Sequence, residues 1–223
     1  MKLIINLFLL IFIKTVAIGQ TQNKFNLSVD KNSNLQVKID TISKETFNKL
    51  EVSRPIADYY TKNSDSLLKV TLIKYSNVLT YIDTCLVFIV KKGKLSLCKY
   101  IPEPYSKNQT DFKLAGIEND YLVFEQIGYE QVEYLSYNPN TKMYFYTSKY
   151  PHFISKNLVF SYGNYYGEGQ FEIFDIEENK RFSFDSFNWL LVKLYIINNE
   201  FYIEFSSNFS IRENKYIKIS LEI

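Results

Sequence analysis

Few residues in this 223-residue sequence have the type and spacing that catalysis requires. His152 is the single histidine, so Ser-His-Asp or Cys-His catalysis would have to use it. It lies between Pro151 and Phe153, and no Gly-x-Ser-x-Gly nucleophile motif accompanies it. We therefore interpret His152 as a ring near a turn and predict no catalytic residue.

Acid–base cleavage of a glycoside would need two carboxylates on either side of the scissile bond. The glutamates that could supply such a pair are Glu125, Glu130, Glu133, Glu168 and Glu172. Glutamates of strands and loops are usually solvated. A hydrolase that acts on envelope polysaccharide through a carboxylate pair is therefore the alternative hypothesis, and a non-enzymatic role is favoured.

The sequence predicts neither a cofactor site nor a metal site. One histidine, two widely spaced cysteines and the lack of an Asp-x-Asp series do not form a metal-binding motif. Phosphate-binding loops of the Gly-x-Gly-x-x-Gly or Walker type are also missing from the sequence.

Residues 163–169 form the stretch that most suggests a binding loop. They contain three of the seven glycines, together with Tyr165, Tyr166 and Glu168. One interpretation is a partner-binding loop whose tyrosine rings contact a sugar or a peptide. The other is a long hairpin connection whose glycines supply positive φ angles.

The two cysteines, Cys85 and Cys98, flank a predicted turn at residues 91–94. If Val90 pairs with Leu95, the cysteines are diagonal neighbours, too far apart for an unstrained bridge. A register shifted by two residues would place them opposite each other. A disulfide and two small buried thiols therefore both remain open.

The N-terminal residues have the pattern of a secretory signal peptide. Lys2 precedes an apolar run of 11 residues, and Ala17 and Gly19 occupy the −3 and −1 positions of a cleavage site before Gln20. We predict that residues 1–19 are this signal peptide and that residues 20–223 form one exported domain, periplasmic or extracellular, without a transmembrane segment.

The charge balance argues against a nucleic-acid partner. Without Lys2 and Lys14 the chain keeps 24 basic and 24 acidic residues, and these are interspersed. A protein that binds nucleic acid usually carries a basic face that neutralises phosphates. The predicted partner is therefore a protein or a glycan.

A repeated tripeptide indicates how the domain is built. Leu86-Val87-Phe88, Leu122-Val123-Phe124 and Leu158-Val159-Phe160 follow one another at a step of 36 residues, and Phe201-Tyr202-Ile203 follows 43 residues after the last. Each copy comes after a polar stretch. A step of this length is typical of repeat architectures, and the richness in Tyr and Phe favours strands.

Alternating apolar residues predict strands through most of residues 67–223, including residues 67–75. Residues 25–40 read as a hairpin with a turn at residues 31–34. A short helix at residues 44–51 begins after Ser43 as its N-cap, with Ile42 and Phe47 at the positions of a hydrophobic staple, and a connection extends to residue 66. The chain is thus predicted to be all-β.

The segment from Pro151 to Tyr162 has a proline and an aromatic residue before a polar turn and an apolar strand, and residues 171–180 continue with a second strand and turn. It resembles a blade of TolB-type, WD40-like β-propellers, best over residues 150–184. In composition the chain is similar to small exported proteins of unknown role from Bacteroidota. The resemblance implies antiparallel repeat sheets arranged like a propeller, open or incomplete; a β-sandwich is the alternative.

Taken together, these patterns favour an exported, non-enzymatic β-repeat protein that binds a protein or glycan partner. A purely structural envelope protein is a further hypothesis.

Overall fold

The computed structural model describes residues 25–50, 64–100, 110–128, 132–208 and 213–222, and the protein is all-β. Its four antiparallel sheets follow one another along the chain, and we number them I to IV. The first strands and helices are β1 (Ser28–Val29), β2 (Val37–Thr41), α1 (Lys44–Asn48) and α2 (Ser64–Lys74). Residues 1–24, which contain the predicted signal peptide, lie outside the described residues.

The remaining strands are short meanders, each sheet being made mainly of consecutive strands. Sheet I contains β3 (Leu79–Ile82), β4 (Cys85–Val90) and β5 (Gly93–Cys98). Sheet II contains β6 (Asp111–Glu118), β7 (Tyr121–Ile127), β8 (Val132–Asn138) and β9 (Met143–Thr147). Sheet III contains β10 (His152–Phe153), β11 (Leu158–Tyr165), β12 (Glu168–Asp175) and β13 (Lys180–Ser186), and sheet IV contains β14 (Trp189–Ile197), β15 (Glu200–Ser207) and β16 (Asn214–Leu221).

The repeated tripeptide occupies an equivalent place in every sheet. Its copies lie in β4, β7, β11 and β15, each the second strand of its meander, and nearly all of their residues are buried. Asparagine and aspartate with positive φ form several of the preceding turns, such as Asn119-Asp120 and Asn198-Asn199. These residues tolerate the left-handed conformation that two-residue hairpin turns require.

Neighbouring copies face each other in pairs. Leu86 and Phe88 of sheet I share one core with Leu122 and Phe124 of sheet II. The corresponding residues of sheets III and IV, together with Trp189, fill a second core, and a smaller cluster around Val159 joins sheets II and III. In a propeller the blades are related by rotation about one axis, so the equivalent side chains of every blade point in the same direction around the ring and do not face one another. The described residues form no closed barrel or propeller, and face-to-face pairing is the packing of the predicted alternative, a β-sandwich.

The strand predicted at residues 67–75 is wrong, because these residues belong to helix α2. Leu67, Leu68, Leu72 and Tyr75 pack against the core of sheets I and II, whereas Ile73 is exposed. This spacing places the packed residues on one helical face. The described residues thus contain two short helices, where the sequence predicted one.

The hairpin predicted at residues 25–40 is also wrong, although its strands exist. Residues Ser28–Val29 (β1) pair with β13 in sheet III, and Val37–Thr41 (β2) pair with β16 in sheet IV. The N-terminal segment therefore connects two sheets instead of pairing with itself. The predicted N-cap is confirmed, since the Thr46 N–H donates to Ser43 Oγ at 3.1 Å, but the helix ends at Asn48.

Cys85 and Cys98 form a disulfide. Val90 pairs with Gly93 across a two-residue turn, not with Leu95, so the register is shifted by two and the cysteines are directly opposite. The disulfide links β4 to β5 within sheet I, and the two cysteines are 13 residues apart in the sequence.

We expect replacement of both cysteines by serine to lower the free energy of unfolding by about 3 kcal/mol, because a cross-link of this span restricts the unfolded chain. Urea denaturation of the oxidised wild type and the double variant measures the difference. A reductant should destabilise the wild type and leave the variant unchanged. Two alkylated thiols in the native, unreduced protein would contradict the bridge.

Candidate functional site

A polar cleft of about 350 Å³ lies between sheets II and III. Carboxylates from β8, β12, β13 and the residue that follows β1 line it, together with one arginine and several hydroxyl groups. The lining residues that carry charge or an amide are Asp30, Glu133, Gln170, Glu172, Arg181 and Asp185. The concentration of ionisable side chains distinguishes this cleft from the apolar cores on either side of it.

Strand register explains why these side chains share one face of sheet III. Glu172 pairs with Ser161 and Ser183, and two residues away Gln170 pairs with Gly163 and Asp185. Alternate residues of a strand share a face, so this polar face is directed at sheet II. The intervening residues, among them Phe171, point into the core of sheets III and IV.

Glu172 is buried, yet it is fully hydrogen-bonded. Its Oε1 is 2.8 Å from Arg181 Nη1, and its Oε2 accepts hydrogen bonds from Ser161 Oγ at 3.1 Å and from the Ser148 N–H at 3.2 Å. Arg181 also donates from Nη2 to the Tyr146 carbonyl oxygen at 2.7 Å. The ion pair thus joins sheet III to the backbone of sheet II around β9.

Burial raises the pKa of Glu172, although Arg181 and the hydrogen bonds oppose the shift. The folded state therefore binds the proton more tightly than the unfolded state does, and the contribution of Glu172 to stability grows as the pH falls through the raised pKa.

We predict that the unfolding free energy of the wild type, relative to Glu172→Gln, increases as the pH is lowered from neutral towards the ordinary value of 4.5. Urea denaturation at a series of pH values measures this difference. Glu168→Gln on the same strand controls for the loss of one carboxylate. A difference between wild type and Glu172→Gln that is constant with pH would contradict the raised pKa.

The cleft continues to the predicted binding loop through Lys149. Its ammonium group lies 5.1 Å from the centre of the Tyr165 ring. Partial burial lowers the pKa of Lys149, and the charge of Asp185, which lines the cleft, opposes this shift. Tyr165 pairs with Glu168 and lies on the polar face of sheet III, two cross-strand pairs beyond Gly163. Tyr165 and Glu168 therefore lie just beyond the lining residues on the same face of sheet III, and we call this end of the cleft its rim.

The predicted loop at residues 163–169 is mostly strand, with only Tyr166 and Gly167 in the turn. Gly167 has a φ of +85°, so one of the three glycines fits the interpretation that glycines supply positive φ. Tyr166 is 82% exposed and its ring lies 4.4 Å from that of Tyr165. The two tyrosines thus form a solvent-facing pair at the end of the β11–β12 hairpin.

Gly169 is required for close packing, whereas Gly163 is not. A Cβ at Gly169 would lie 2.8 Å from the Leu191 nitrogen and 2.7 Å from Ser186 Oγ, whereas one at Gly163 would meet only the aliphatic part of Lys149. Sheets III and IV therefore approach most closely at Gly169.

We expect Gly169→Ala to lower the free energy of unfolding by about 2 kcal/mol, because the added methyl group overpacks a contact with rigid backbone. Gly163→Ala is the matched control and should change stability by less than about 0.5 kcal/mol, since a lysine stem can move. Thermal or urea unfolding compares the two. Equal effects of both substitutions would contradict the close approach at Gly169.

The other predicted residues lie away from the cleft. His152 is in β10, where its ring stacks on Phe160 at 5.1 Å and contacts Tyr162 at 5.5 Å. Glu125 forms an ion pair with Lys113 at 2.7 Å. Glu130 lies outside the described residues. Of the four considered glutamates that the structure describes, Glu133 and Glu172 line the cleft.

A second, more open groove of about 880 Å³ lies on the outer face of sheet IV. Its buried acid, Glu204, is 3.2 Å from Lys193 Nζ and accepts a hydrogen bond from Asn214 Nδ2 at 2.7 Å. Phe47 of α1 packs beside this groove against Tyr195 and Tyr216. We therefore interpret this groove as the place where helix α1 packs against sheet IV.

Sequence reasoning missed Asp30, Arg181 and Asp185. Arg181 and Asp185 alternate with the buried Phe182 and Phe184 along β13, and this pattern could have indicated a strand with one polar, packed face. Nothing local marks Asp30, because it reaches the cleft through the pairing of β1 with a strand about 150 residues away.

No group of three or more His, Cys, Asp or Glu side chains that could hold a metal ion occurs in the described part of the chain. Its helices include none that is long and apolar enough to cross a membrane. Comparison of the chain with protein-family models, with curated proteins and with solved structures gives no match. The site must therefore be interpreted from its own geometry.

Proposed function

We propose that this chain is an exported, non-enzymatic β-repeat protein that binds a protein or glycan partner at the cleft between sheets II and III. The observation that carries the proposal is the polar cleft itself, which continues to the tyrosine pair at its rim. Concave sites with a few convergent polar groups are the usual places of ligand binding. Tyrosine suits such a rim because it offers a large apolar ring and a hydroxyl group.

Two observations support export. The pattern of residues 1–19 is that of a signal peptide. The Cys85–Cys98 disulfide is of a kind that persists in oxidising compartments. We propose the periplasm or the extracellular space as the compartment.

The state of Glu172 favours binding over hydrolysis. Both of its oxygens are occupied by Arg181, Ser161 and Ser148, so neither is directed at a substrate.

Hydrolysis remains the second candidate function, because Glu133 and Glu172 share the cleft and the raised pKa of Glu172 suits a general acid. Release of reducing sugar from envelope polysaccharide, lost in Glu172→Gln, would favour hydrolysis.

Binding can be tested with an array of envelope glycans and with purified candidate partner proteins. We expect Tyr165→Ala/Tyr166→Ala and Glu133→Gln/Asp185→Asn each to weaken binding about tenfold, a loss of about 1.4 kcal/mol. Isothermal titration calorimetry measures the affinities. The matched control is Tyr100→Ala, an exposed tyrosine (55%) after sheet I. A ligand whose affinity is unchanged in both double variants would remove the cleft from the proposal.

A further inference from the structure

The outer edge of β9 faces the cleft and is only partly occupied. The Tyr146 carbonyl oxygen and the Ser148 N–H point away from β8, since they bond to Arg181 and Glu172 of sheet III. Backbone groups of alternate residues point to the same edge of a strand, so Tyr144 has this outward orientation too. Within the described residues, no hydrogen bond reaches the N–H or C=O of Tyr144 or the N–H of Tyr146.

The Glu172–Arg181 pair acts at this edge as a neighbouring strand would. Arg181 supplies a donor to the Tyr146 carbonyl oxygen, and Glu172 supplies an acceptor to the Ser148 N–H. Edge strands are commonly protected by charged side chains, because open edges pair with other chains. Here the protection covers residues 146–148, and the Lys91 N–H occupies the Lys142 carbonyl oxygen at 3.3 Å. The backbone groups at Tyr144, between these two contacts, are left for a short added strand.

The charge of the cleft determines which side-chain charges an added strand should have. Glu172 neutralises the charge of Arg181. The exposed carboxylates of Asp30, Glu133 and Asp185 therefore make the lining of the cleft acidic. Lys149 compensates part of the charge of Asp185. Positively charged side chains on an incoming segment would therefore be attracted to the lining.

We propose that an extended segment of a partner protein, with Lys or Arg at alternate positions, adds to the edge of β9 at Tyr144 and Tyr146. Its backbone makes up to three hydrogen bonds to this edge, and its basic side chains reach Glu133, Asp30 and Asp185. Strand addition of this kind takes affinity from the backbone and specificity from alternate side chains. The inference rests on the proposed binding function and names the partner class at the same cleft.

The probe is the blocked peptide Ac-Lys-Thr-Lys-Thr-Lys-Thr-Lys-NH2, titrated by calorimetry and followed by NMR of the labelled protein. We expect chemical-shift changes at residues 144–148. Affinity should fall about tenfold when the three threonines are N-methylated, because methylation removes the donors of one peptide edge, and about tenfold when Glu replaces Lys. Raising the salt concentration should weaken binding.

Protein variants separate edge pairing from charge. Tyr144→Pro removes the outward N–H, and edge strands tolerate proline at such positions; we expect it to abolish binding. Tyr144→Ala keeps the N–H and should retain binding within about twofold. Glu133→Gln/Asp185→Asn should weaken peptide binding about tenfold and reduce its dependence on salt.

The outcomes distinguish this inference from the proposed function. No binding of the basic peptide to the wild type, or binding that survives both Tyr144→Pro and N-methylation, would overturn strand addition. If Tyr144→Pro does not fold, the N-methylated peptide decides alone. A glycan that binds the wild type and not the cleft variants, with no peptide binding, would overturn strand addition and leave the proposed cleft function standing.

Discussion

An ion pair between the buried Glu172 and the partly exposed Arg181 positions the two halves of this protein against each other, beside the apolar cluster around Val159. Sheets I and II have one apolar core and sheets III and IV have another, whereas the junction between the two pairs includes Glu172 and Arg181. A buried ion pair adds little net stability, because desolvation offsets its attraction, but losing one partner is costly. Since both side chains also bind backbone atoms of β9, they fix where sheet II lies against sheet III.

This constraint explains how one repeated unit gives two environments. One face of each repeat is apolar enough to pack tightly against its neighbour, as Phe88 does against Phe124 at 5.1 Å. The other face of sheet III mixes Val159 and Phe174 with serine, glutamate and arginine. Pairing therefore proceeds through the apolar faces, and the polar face is left for the junction and its cleft.

Much of the secondary structure could be predicted because the chain alternates apolar and polar residues wherever one sheet face is buried. Strands β7 to β9 and β11 to β16 were found in this way, to within a few residues, whereas β6 and β10 were not. Helix α2 was missed because a short apolar run has no unambiguous period. The cleft could be predicted only in part: Glu133 and Glu172 were considered, but Asp30 depends on long-range pairing, and the role of Arg181 depends on the packing of sheet II against sheet III, neither of which local patterns reveal.

The placement of β1 and β2 has a consequence for how the chain reaches its native state. Their partners β13 and β16 are separated from them by far more residues than the partners of any other described strand are, so these pairings close the longest loops and are expected to form late. Loop closure over such separations is slow. Until β1 and β2 have docked, β13 and β16 each lack a neighbour along one edge, so the edges of sheets III and IV are completed only late in folding.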